Sequence, residues 1–210
     1  MRFPSRPLVR FALPAGILAL AALPASAHHA MDGQLPGTFM QGLLSGLGHP
    51  VIGLDHLAFI VAIGIAAALV GSGGALIAAF VAASTAGVMA HLASLNVPMS
   101  EQLVALSVVM AGGMIAMSSG SRSGWLALAA LAGIFHGYAF GESIVGAERQ
   151  VVGAYLVGIA VVAGCIAWAT MAATHRVVTS DLHQSRAMRA AGAMVGAVGV
   201  VMLAGSLVTI

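Results

Sequence analysis

Apolar residues run in blocks of about 20 along most of this chain, and polar residues punctuate them. About 20 consecutive apolar residues are what an α-helix needs to cross the hydrocarbon core of a bilayer. Each block therefore predicts a transmembrane helix, and six are placed, near 50–71, 74–96, 101–119, 124–147, 151–173 and 188–210. The punctuation is chemically sensible. Gly71-Ser72-Gly73-Gly74 is a tight turn, Asn96-Val97-Pro98 ends the second span, Ser118 to Gly124 is a Ser/Gly loop, and Glu148-Arg149-Gln150 is a short charged turn. Thr174–Met188 reads as the longest polar connection. Gly37–Leu47 is too short to span and too apolar for a water-exposed loop, and reads as a re-entrant or interfacial helix leading into the first span.

The first 27 residues follow a different pattern. Arg2, Arg6 and Arg10 precede a short apolar stretch, Phe11–Leu23, and Ala25-Ser26-Ala27 is an A-x-A cleavage site. This is the layout of a secretory signal peptide. The expectation is an all-α integral membrane protein: signal peptide 1–27, then a single membrane domain at 28–210, a bundle of six transmembrane helices behind the short leading helix. Cleavage after Ala27 would put His28-His29 at the mature N-terminus. Arginine placement sets the orientation. With that terminus outside, the loops at 118–124 and 174–189 are cytoplasmic and hold Arg122, Arg176, Arg186 and Arg189, whereas the outer loops hold only Arg149, in accord with the positive-inside rule. A multi-pass protein of the bacterial cytoplasmic (inner) membrane is the expected location.

Composition narrows the function. The 210 residues are 60% hydrophobic and 7% charged, against about 25% charged in ordinary soluble domains. That excludes a soluble globular domain, a disordered chain and a nucleic-acid binder. All eight basic residues are Arg. Without Lys there is no P-loop NTPase and no Schiff-base enzyme, since both need that amine. The single cysteine, Cys165, excludes a disulfide framework and any multi-Cys metal site.

In so apolar a chain each ionisable group at bilayer depth needs a reason, because it costs roughly 2.5–3.5 kcal/mol on insertion. His49, Asp55, His56, His91, Glu101, His136, Glu142 and Glu148 all fall in the outer half of the expected topology. Imidazoles and carboxylates gathered on one side point to a site for a divalent transition metal; imidazole suits nickel, zinc, copper and iron, and carboxylate compensates charge. Glu101 and Glu148 read equally well as headgroup-region residues. A terminal His28-His29 could chelate nickel or copper through the α-amine, the next amide and the His29 ring. Met110, Met114 and Met117 form a stripe that reads as core packing, and Trp125 reads as an interfacial anchor.

Two motifs carry the chemistry. In His49-Pro-Val-Ile-Gly-Leu-Asp55-His56, Pro50 suits the first position of a helix, which puts His49 at its entrance and His56 on nearly the same face two turns deeper. A straight helix cannot bring His49 and Asp55 together, because six residues rise about 9 Å; either the entry bends or the two act in sequence along a path. In Phe135-His136-Gly137-Tyr138-Ala139-Phe140-Gly141-Glu142-Ser143, Gly133, Gly137 and Gly141 recur every four residues, a stripe against which another helix can pack closely.

These two motifs resemble those of the HupE/UreJ family, whose members are multi-span nickel or cobalt permeases. "HPVIGLDH" fits the family's His-Pro-x-x-Gly-x-Asp-His pattern throughout, and "FHGYAFGES" fits its Phe-His-Gly-x-Ala-x-Gly element followed by a carboxylate. The resemblance implies His49, Asp55, His56, His136 and Glu142 as metal-handling residues, with His91, His28 and His29 as further candidates from the residue pattern. One departure is that many members carry a second His where Phe140 stands.

The expected function is secondary uptake of a divalent metal, nickel first and cobalt second, with the metal as cargo and no bound cofactor. A charge of two gains about 4.6 kcal/mol per 100 mV of membrane potential, so accumulation needs no ATP. The expected partners are the metal ion, the lipid bilayer and, on the cytoplasmic side, nickel-enzyme maturation proteins. Two alternatives from other classes are an intramembrane metalloenzyme, with His49, His56 and His136 holding the metal and Glu142 as base, and a metal sensor or chaperone without transport.

Overall fold

The computed structural model describes residues 34–71, 73–177 and 181–208, with the side chains of 177 and 181–185 excepted. The signal-peptide reading of 1–27 and the residues His28 and His29 lie outside the described residues. Everything regular among the described residues is helical: α1 Phe39–Ile52, α2 Leu54–Leu69, α3 Gly73–Leu92, α4 Ser100–Ala116, α5 Arg122–Glu142, α6 Arg149–Val177 and α7 Asp181–Val208. Four of these, α3, α5, α6 and α7, contain stretches long and apolar enough to cross a bilayer, and α1 with α2 makes a fifth candidate as one bent pair. α4, at 17 residues, is shorter.

The predicted short leading helix is present as α1, but its end differs from expectation. Pro50 does not start the first span; it sits inside α1, buried, two residues before its end. The chain then breaks at Gly53, whose backbone is extended (φ −74°, ψ 108°), and α2 leaves at 79° to α1. Proline in the last turn removes one intrahelical hydrogen bond and weakens continuation. α1 is held through this point by its packing on α6, where a β-carbon at Gly42 would lie 2.6 Å from the Val151 carbonyl oxygen and one at Gly46 would overlap the Tyr155 carbonyl. His49 therefore lies in the last turn of one helix and His56 in the first turn of the next.

α2 runs through the middle and touches all six other helices. Its Phe59, Ile60, Ala62, Ile63 and Ala66 are fully buried. Around it the helices pair at glycines. The predicted stripe on α5 meets α3: a β-carbon on Gly133 would lie 3.0 Å from the Phe80 oxygen, one on Gly137 would overlap the Ser84 carbonyl, and one on Gly141 would meet the His91 β-carbon at 2.6 Å. α4 and α7 pack in the same manner through Gly112, Gly192 and Gly199. Outward faces remain apolar, with Leu131, Val157, Val161, Trp168, Met194 and Val200 all exposed. Such a surface is an aggregation liability in water and the required one in lipid.

Three further expectations are corrected. Trp125 is not an interfacial anchor but part of the core, 1% exposed, because α5 is capped by Ser121 and the preceding Gly120 turn lies against the indole. Of the methionine stripe only Met114 packs on the core, while Met110 and Met117 face outward. The long polar connection after Thr174 is largely helical, since α6 continues to Val177 and α7 begins at Asp181. Continuing the helix satisfies backbone groups that an open loop would leave to solvent.

Candidate metal-handling site

The break at Gly53 builds the site. It turns the end of α1 and the start of α2 toward one another, so that the His49 and His56 rings lie with centroids 5.7 Å apart. Seven residues of uninterrupted helix would separate them by about 10.5 Å along the axis. Gly53 is also needed for space: a β-carbon there would lie 2.6 Å from His56 Cδ2 and 3.3 Å from Asp55 Oδ1. Asp55 stands in the first turn of α2, where a carboxylate is favoured by the helix dipole. Its Oδ1 accepts a hydrogen bond from the His56 backbone N–H at 2.8 Å and lies 4.0 Å from His56 Nε2.

α5 adds the third imidazole. His136 Nδ1 is 2.8 Å from His56 Nδ1, and its Nε2 is 3.0 Å from Ser107 Oγ on α4. The Ser107 hydroxyl donates to the Val104 carbonyl at 2.6 Å, so its oxygen can only accept from His136, which is thereby protonated at Nε2 when neutral. His136 Nδ1 then accepts from the Nδ1–H of His56. On one side Phe59 stacks on His136 (centroids 4.5 Å, 28° between planes) and Phe80 meets it edge-on at 6.1 Å. Both phenylalanines belong to the fully buried core, so the cluster is closed on that side by apolar packing.

α6 supports the first imidazole. Tyr155, fully buried, places its hydroxyl 2.7 Å from His49 Nδ1 and donates to the Phe140 carbonyl at 2.7 Å. Ser143 Oγ lies 3.2 Å from the same His49 nitrogen. The Phe140 ring packs against both His49 (5.1 Å) and His56 (4.3 Å).

The fold thus brings together His49, Asp55, His56 and His136, three of them 4% exposed or less and Asp55 9%. Two other sequence candidates stand apart. Glu142, the last residue of α5, is exposed, and the next residue, Ser143, is the one that faces His49. His91 is half-buried and donates to the Tyr138 carbonyl at 2.8 Å, stacked at a tilt on the Tyr138 ring. Glu101 and Glu148 are exposed, consistent with their headgroup reading. Ser107, Ser143 and Tyr155 were not singled out from the sequence. A hydroxyl in an apolar span is the available signal for Tyr155; Ser143 closes the second motif, and Ser107 carries none, since serine is common in such helices.

Among the described residues no three His, Cys, Asp or Glu side chains already converge on one metal position. His56 Nδ1 and His136 Nδ1 face each other at hydrogen-bond distance, 2.8 Å, and the two rings are joined by one hydrogen bond.

A buried imidazole–carboxylate cluster thus lies inside a helical bundle whose outer faces are apolar, the build of a multi-pass membrane protein. The family model for HupE / UreJ protein matches residues 16–202, and the chain belongs to that family, which is associated with nickel and cobalt transport. No curated protein and no solved structure matches the chain.

Proposed function

We propose that this protein is a secondary permease importing a divalent transition-metal ion, nickel first and cobalt second. The observation that carries the reading is the convergence of His49, His56 and His136 from three helices beside Asp55 in an otherwise apolar interior. Intramembrane ionisable residues of this kind mark ion pathways, and imidazole with carboxylate suits these metals. In this reading α4 is a sixth crossing, α1 the re-entrant segment, and the mature N-terminus lies outside a bacterial cytoplasmic membrane. The ion sheds water at the cluster and passes inward when the Phe59–Phe80 packing below His136 yields. The membrane potential drives it, at about 4.6 kcal/mol per 100 mV for a double charge. Nickel-enzyme maturation proteins receive it on the cytoplasmic side.

Radiolabelled nickel flux into proteoliposomes with an imposed inside-negative potential tests this. The wild type should accumulate the label, and His49→Ala, Asp55→Ala and His136→Ala should each reduce the initial rate sharply. Normal flux in all three removes the site. Metal binding without flux would leave a sensor or chaperone, and substrate turnover with a non-exchanging metal would leave a metalloenzyme.

Glu142 and His91 then serve the outer approach. Glu142→Gln is expected to raise the KM for nickel by about two- to five-fold at low ionic strength with kcat unchanged, since an exposed carboxylate attracts the ion over roughly a Debye length without binding it in the transition state. An equal fall in kcat would instead put Glu142 in the pathway itself.

A further inference from the structure

Tyr155 lies in neither sequence motif, yet its hydroxyl stands between two groups of the site, 2.7 Å from His49 Nδ1 and 2.7 Å from the Phe140 carbonyl oxygen. The phenol has one proton. The carbonyl can only accept, so that proton belongs to the contact with Phe140; any other assignment leaves two oxygens 2.7 Å apart with no hydrogen between them. The phenol oxygen must then accept from His49, whose proton sits on Nδ1. Ser143 is hydrogen-bonded to the Tyr155 side chain; with its proton directed to the phenol oxygen, its Oγ, 3.2 Å from the same nitrogen, can serve as a second acceptor. A neutral imidazole carries one ring proton, so Nε2 holds the lone pair. Which nitrogen of a ligating histidine binds metal is set by the hydrogen bond the other one makes.

We propose that Tyr155 is a positioning residue that fixes His49 as its Nδ1-protonated tautomer, so that Nε2 is the atom presented to the ion. This rests on the permease reading above. The arm is rigidly built. A β-carbon at Gly46 would overlap the Tyr155 carbonyl, so α1 and α6 meet backbone to backbone one turn from His49. The Phe140 ring meets His49 edge-on (73°), as does the Tyr155 ring at 6.2 Å (64°), and together they hold the imidazole plane. The hydroxyl pair Tyr155 and Ser107 thus acts alike at the two ends of the cluster. Each donates a hydrogen bond to a helix carbonyl and accepts one from a histidine.

The test uses the full chain in detergent with its histidine rings labelled with nitrogen-15. Ring nitrogen shifts separate protonated from unprotonated positions, and His49→Gln assigns the His49 signals. The wild type should show His49 protonated at Nδ1 and unprotonated at Nε2. Tyr155→Phe, which keeps the ring and its packing, should give a mixture of tautomers. It should also weaken binding of cobalt(II) alone, followed by its visible absorption, by about 10–100-fold, the usual cost of losing a ligand's hydrogen-bond partner. A wild-type His49 protonated at Nε2 overturns the inference with no variant needed, as do an unchanged tautomer and cobalt affinity in Tyr155→Phe. Failure of the wild type to bind cobalt at all would strike the permease reading instead, and the nitrogen spectrum, which needs no metal, tells the two failures apart.

Discussion

Replacing His56 by alanine should lower the initial rate of nickel uptake by more than about 100-fold, beyond the 10–100-fold typical of a supporting residue. His56 is the member through which the others connect. Its Nδ1 meets His136, its Nε2 faces Asp55, and its ring packs on Phe140 and beside His49. Its loss removes an imidazole from the cluster and leaves His136 Nδ1 without its donor, which costs about 1–3 kcal/mol in a buried setting. Part of the effect of alanine could therefore be structural. His56→Gln separates the two causes, because an amide restores a donor to His136 but is a poor metal ligand. We expect His56→Gln to reach wild-type amounts in the membrane and remain inactive. Uptake by His56→Gln at a rate near wild type would show that the imidazole itself is dispensable.

Gly137→Ala should be among the most damaging single-methyl changes in the chain. The added β-carbon would overlap the Ser84 carbonyl carbon, oxygen and α-carbon at once. Backbone cannot rotate aside as a side chain can, so α3 and α5 must separate. Overpacking of this kind costs about 1–3 kcal/mol and occasionally more. Because His136 is the neighbouring residue, uptake should fall along with stability. Gly153→Ala is the matched control, since nothing lies within 4 Å of its β-carbon position. Thermal unfolding in detergent, followed by size-exclusion recovery, should show a clear drop in Tm for Gly137→Ala and little or no change for Gly153→Ala. Equal Tm values for the two would mean that the α3–α5 contact is looser than described.

The membrane character, the helical class, the glycine stripe of α5 and the identity of four clustered residues were legible in the sequence, because each rests on local pattern or on cost. Long apolar blocks can only be helices in lipid, glycines four apart lie on one face, and an imidazole or carboxylate at bilayer depth is too expensive to be incidental. What local pattern could not decide was direction and pairing. Pro50 is compatible with starting a helix or with ending one; the packing of Gly42 and Gly46 on α6 holds the helix through Pro50, and the chain breaks only at Gly53. That single break converts a seven-residue spacing into ring contact between His49 and His56. Likewise Glu142 and Ser143 are adjacent in sequence, but only the end of α5 as packed turns the serine to His49 and the glutamate outward. Tyr155 and Ser107 lie on different helices, and neither shares a motif with a histidine, yet each meets one across a helix interface. The sequence by itself determined which residues are costly enough to need a purpose. Only the tertiary structure decided which of them share that purpose, because hydrogen-bond partners on different helices are chosen by how closely the backbones approach, and that is set by glycines far from the groups they bring together.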